Sequence, residues 1–101
     1  ETHQLLLSPV LATPPVNLGV LHLDQDSADF GPAFSAFCPY AVTANIAGCP
    51  AISLPLGTSH DGLPIGIMAM APFGREDLLL QLAAELEAAA PWAGRRPPEL
   101  G

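Results

Sequence analysis

The chain contains no lysine. Across its 101 residues the only cations are Arg75, Arg95 and Arg96, set against ten carboxylates for a formal net charge of −7. Phosphate neutralisation rests on clustered Lys and Arg, so the composition excludes nucleic acid as a direct partner. It also excludes a phosphate cradle: Gly57, Gly62, Gly66 and Gly74 are followed by no lysine, and their spacing suits a hairpin. Charged residues are only 13% of the chain, few for an isolated soluble domain that must keep itself dispersed. No apolar run reaches the ~20 residues of a membrane span, and no stretch has the order of a signal peptide. Cysteine is scarce too. Cys38 and Cys49 are the only thiols, and without a secretory cue they read as reduced, buried side chains rather than a disulfide. A cytoplasmic protein with no membrane partner is the expectation.

What is present is apolar. Half of the residues are hydrophobic, which argues against disorder. The chain opens on Glu1 rather than methionine, which fits processing or truncation. Residues 4–8, QLLLS, form a short apolar run stopped by Pro9, the pattern of a strand buried on both faces in the middle of a sheet. Residues 16–33 hold Gly19, Gly31, Pro32 and three aspartates without periodicity, and read as a long loop suited to a lid or a pocket wall. Pro39 is placed to open a short helix toward Gly48, with Val42, Ile46 and Ala47 on one face and Gly48 as its stop.

The clearest local signal follows. Apolar runs at 51–56 and 63–71 flank GTSHDG, and Asp61–Gly62 offers the left-handed backbone of a tight turn, so 51–71 is predicted as a β-hairpin. Pro55 and Pro64 remove ladder donors and belong at bulges, strand ends or edges. Residues 76–90 form an amphipathic helix. Glu76 and Asp77 complement the dipole at its start, and Leu78, Leu79, Leu82, Ala83, Leu86 and Ala90 make one stripe. Trp92 is expected to tuck back before a tail at 93–101, in which Arg95 and Arg96 are exposed. One hairpin, one strand and two helices make a thin core for this many apolar residues, so cover from further polypeptide is expected.

Several constellations have the residue types of a site without its geometry. Ser53, His60 and Asp61 contain the members of a hydrolytic triad, but His60 and Asp61 are neighbours in a turn and Ser53 lacks a nucleophile elbow. A turn and a hydrogen-bonded core serine explain them. His22, Asp24 and Asp26 alternate like metal ligands, yet two or three such groups on a loop define no site. Cys38 has no surrounding nucleophile signature. Met68 and Met70 read as core filler. No metal and no cofactor are expected.

The middle of the chain carries a resemblance. Asn45-Ile-Ala-Gly48-Cys-Pro50-Ala51-Ile-Ser-Leu-Pro55, then Gly57, then Asp61-Gly62-Leu63-Pro64-Ile65-Gly66, resembles the C-terminal part of the amidase signature family. The opening LLLSPVLATPPVNLG and the closing EDLLLQLAAELEAAAPW with GRRPP resemble the segments on either side, in the family's order. The resemblance implies an α/β fold, the C-terminal portion of an α/β/α architecture with one large mixed sheet, here as a single segment 1–101. It also implies amide hydrolysis by a serine nucleophile, a second serine on a cis peptide, and a lysine, without metal or cofactor.

In that family the lysine and the glycine- and serine-rich run lie upstream. Neither occurs here, so no residue of this chain receives a catalytic role. The loop before the asparagine walls the acyl side of the pocket in such enzymes, which makes Phe37, Cys38, Tyr40 and Asn45 candidate pocket residues. Tyr40 is followed by Ala41 where the family often has threonine, and core packing by the same side chains stays equally open. Gly48, Pro50, Pro55, Gly62, Pro64 and Gly66 are structural joints in this reading. The expected partners are the N-terminal remainder of an amidase or a second copy of the chain, with a small amide as substrate of the whole enzyme. The open alternatives are a stand-alone or domain-swapped, self-associating α+β module and part of the amidase subunit of a tRNA-dependent amidotransferase.

Overall fold

The computed structural model describes residues 4–98. Strand β1 spans Leu6–Pro9, helix α1 Ser27–Phe37, helix α2 Ala41–Ala47, strand β2 Ala51–Thr58, strand β3 Pro64–Met70 and helix α3 Glu76–Ala89. The strands form one sheet in the order β1-β3-β2, antiparallel throughout. The mixed sheet implied by the resemblance is therefore not seen among the described residues.

The hairpin forms where the alternation and the turn residues place it. Its five-residue loop closes through the Ser59 N–H to the Leu63 carbonyl at 2.7 Å and the Leu63 N–H to Ser59 Oγ at 3.0 Å. Gly62 alone takes the left-handed backbone, at φ 83°, whereas Asp61 stays at negative φ. Pro64 begins β3 opposite Thr58, and Pro55 lies in a bulge between the pairs Leu54–Ile67 and Gly57–Ile65. Neither proline interrupts a regular ladder there. At the other end the Ala71 N–H donates to the Pro50 carbonyl at 3.0 Å, closing the hairpin.

Helix α3 lies on one face of this sheet. Leu79, Ala69 and Ala71 form the core, with Leu5, Ile52 and Leu82 packed against it. Burying one leucine such as Leu79 contributes on the order of 1.5–3 kcal/mol. Strand alternation puts Leu54 and Ile67 on the same face as Ile52 and Ala69.

Three expectations are corrected. Strand β1 is an edge strand rather than a central one: Leu6 and Leu7 are 56% and 63% exposed. A continuous apolar run marks burial only where neighbours exist on both sides, and among the described residues β3 is its one ladder partner. Residues 16–33 are not loop throughout, because α1 begins at Ser27. Asp26 caps it, accepting from the Ala28 N–H at 3.1 Å, and Pro32 sits inside the helix. Phe30 and Phe34, four apart, stack at 5.6 Å on one side of α1. The short helix before Gly48 starts at Ala41 rather than Pro39.

The chain is a slab of 41 × 39 × 19 Å with a radius of gyration of 15.8 Å, against roughly 13 Å for a compact domain of 100 residues. It exposes 7398 Å², where a folded monomer of its mass would expose roughly 5,400 Å². Leu18, Leu23, Ile46 and Phe73 are each more than 80% exposed.

Candidate functional site

The face of the sheet opposite α3 carries an apolar groove of about 520 Å³, within the range of small-molecule sites. One wall is the segment that leaves β1, Pro9 through Pro15. The other is the hairpin, contributing Ser53, Pro55, Ser59 and residues 63–66. Three prolines in the first wall lack an N–H, and the Val10 and Ala12 N–H groups are already bonded to the Gly66 and Phe37 carbonyls. Among the described residues no charged side chain lines the groove; its polar side chains are the hydroxyls of Thr13, Ser53 and Ser59.

The local sequence explains the shape. Between Leu54–Ile67 and Gly57–Ile65, Pro55 and Leu56 together oppose Gly66, so β2 bends at this point. Gly66 is required for a different reason: a Cβ there would stand 2.8 Å from Val10 Cγ2 and 3.0 Å from Ser53 Oγ. The missing side chain lets the two walls meet over the sheet.

Ser53 is exposed on this face, which corrects its reading as a hydrogen-bonded core serine. Opposite Met68 in the register, it points away from the side that α3 covers. His60 Nδ1 and Asp61 Oδ1 are 3.0 Å apart at the hairpin tip, with side chains 97% and 79% exposed. They pair with each other and line no part of the groove. Among the described residues no cluster of His, Cys, Asp and Glu could hold a metal ion, and His22, Asp24 and Asp26 are exposed. At the start of α3 the Arg75 guanidinium hydrogen-bonds Asp77, holding that carboxyl below its ordinary value while the arginine is raised.

The four candidate pocket residues sit together at the corner between α1 and α2. Phe37 ends α1, Cys38 follows it, Tyr40 precedes α2, and all three are half-buried. Asn45 is exposed on α2. None of the four lines the groove, but the Ala12 N–H donates to the Phe37 carbonyl at 3.0 Å, tying this corner to the groove's first wall. Asn45 makes no side-chain bond to the helix end among the described residues. That work falls to backbone: Gly48, left-handed at φ 68°, and Cys49 both donate to the Ala44 carbonyl. Cys38 and Cys49 are free and half-buried. The sequence marks residues 9–15 only by Pro9, which stops the first apolar run; the proline-rich composition beside a strand was the available signal.

Comparison with known proteins agrees with this architecture. Residues 1–80 match the Amidase family. The chain is 45% identical over 100 positions to the 6-aminohexanoate-cyclic-dimer hydrolase of Paenarthrobacter ureafaciens, covering 92% of this chain and 20% of that one. It is 60% identical over 58 positions to the enzyme of the same name from Pseudomonas sp. (strain NK87), covering 57% and 12%. A solved structure of 6-aminohexanoate cyclic dimer hydrolase superposes with a TM-score of 0.74 at 40% identity, over 97% of this chain and 22% of that one. The chain thus spans about a fifth of the length of the relatives that match most of it. With a family match over most of its residues and a solved relative of the same local fold, this chain belongs to the amidase family.

Proposed function

We propose that this chain is the sheet-completing, cleft-walling part of a serine amidohydrolase that cleaves carboxamide C–N bonds, and that the groove holds the acyl portion of the substrate. The observation that carries the reading is the uncharged groove on the face opposite α3, built from the segments that resemble the family. Its lining offers hydroxyls and carbon surface but no base, acid or cation. Such a wall binds and orients an acyl chain and leaves proton transfer to other groups.

In the intact enzyme a serine attacks the amide carbon, the C–N bond breaks as the amine leaves with a proton, and water hydrolyses the acyl-enzyme. The nucleophilic serine, the second serine and the lysine of that scheme lie in polypeptide outside these residues, which also covers Leu18, Leu23 and Ile46. Aliphatic acyl groups suit the groove best. Two relatives bear a name that specifies the cyclic dimer of 6-aminohexanoate, an amide with a methylene chain. Each methylene taken up should improve kcat/KM about fourfold, the equivalent of ~0.8 kcal/mol.

A serine-directed fluorophosphonate tests the division of labour. Treatment of the intact protein should abolish amide turnover and label one serine outside residues 4–98. A label on Ser53, or turnover that survives complete labelling, would refute the proposal.

A further inference from the structure

We infer that Arg95 is a positioning residue for the groove: reaching back from beyond α3, its guanidinium clamps the β2 bulge and so fixes the wall that Pro55 presents. This rests on the reading of the groove as the acyl subsite.

The bulge creates the need. With Pro55 and Leu56 both facing Gly66, backbone groups of this stretch fall outside the regular ladder, and Pro55 has no N–H of its own. The Pro55 carbonyl instead accepts from Arg95 Nη2 at 2.8 Å. Nη1 of the same guanidinium stands 3.5 Å from both the Gly57 carbonyl and Thr58 Oγ1. One planar fork therefore spans the bulge from its first residue to the residues after it. A lysine ammonium is a point donor and could satisfy only part of this set.

The clamp is itself anchored. The Arg95 N–H donates to the carbonyl of Trp92, a half-buried residue, at 3.0 Å. Arg96 Nη1 donates to the carbonyls of Ala93 at 2.6 Å and Arg95 at 2.9 Å, tightening the same turn. Among the described residues Arg95 has no carboxylate partner, and its guanidinium is directed at two backbone carbonyls and the Thr58 hydroxyl. Charge-assisted bonds of this kind are the stronger ones. The clamp touches the outside of the wall that Pro55 contributes to the groove, so its loss should loosen substrate fit while leaving the chemistry alone.

The test compares Arg95→Ala, Arg95→Lys and Arg75→Ala in the intact protein across a series of aliphatic amides of increasing acyl length. Arg95→Ala should raise KM for the longest amide about tenfold, roughly the loss of one charge-assisted bond, with kcat within about twofold. KM for the shortest amide should barely move, Arg95→Lys should fall between wild type and Arg95→Ala, and Arg75→Ala should match wild type. Should Arg95→Ala fail to fold, Arg95→Lys carries the same test through its length-dependent rise in KM. If the Arg95 variants instead follow Arg75→Ala while Ser53→Phe does alter the length profile, the clamp is refuted and the subsite stands. If Ser53→Phe leaves the profile unchanged as well, the subsite reading fails and the clamp fails with it.

Discussion

The two faces of the sheet differ in kind although the same strands make both. On the α3 side, Ile52, Leu54, Ala69 and Ala71 are apolar, and Leu54, Ala69 and Ala71 are buried to 5% exposure or less. One residue away along β2 and β3, on the other side, stand Ser53 and Gly66, small and turned toward the groove. Strand periodicity lets neighbouring residues answer to separate demands, one set to packing and the next to a ligand. The cluster around Leu79 lies beneath α3, the groove lies on the other face beside the buried Met68, and the bulge at Pro55 shapes the second face without opening the first.

Mutations that act on one face should leave the other largely intact. The largest effect expected is Leu79→Ala, which removes the centre of the covered face and should lower unfolding free energy by about 2–5 kcal/mol. Denaturant unfolding measures the loss, and the molecules that stay folded should keep the acyl-length preference of the wild type. A changed preference would show that the faces are coupled. Gly66→Val should cost less, about 1–3 kcal/mol, because its Cβ meets Val10 and Ser53 and must push the walls apart. Unlike Leu79→Ala, it should also weaken discrimination between short and long acyl chains. Full stability with full discrimination would mean that the close approach at Gly66 does not define the groove.

The elements legible in the sequence were those governed by near neighbours. The hairpin announced itself through two apolar runs around a Gly-containing turn, and α3 through its leucine stripe between Glu76 and Pro91. Helix α1 was hidden because Gly31 and Pro32 read as breakers, while the decisive signals were the Asp26 cap and the four-residue spacing of Phe30 and Phe34. The position of β1 at the edge was also out of reach, since an apolar run does not tell how many neighbours it has. For the candidate site the limit was distance along the chain. The groove joins residues 9–15 to residues 53–66, and Arg95 meets a carbonyl 40 positions away. No periodicity encodes such meetings. Phe37, Cys38 and Tyr40 drew attention by composition and family position; of the three, Phe37 bonds the groove's first wall, its carbonyl accepting from the Ala12 N–H.

The most direct test of the assignment of recognition to the face opposite α3 is the Ser53→Phe variant, assayed for kcat and KM over aliphatic amides of increasing acyl length. Ser53 is exposed, so folding should be little affected, within about 0.5 kcal/mol. A ring filling the groove should erase the gain per methylene and leave the shortest amide turned over at close to the wild-type rate. A variant that keeps the wild-type dependence on acyl length would contradict the account.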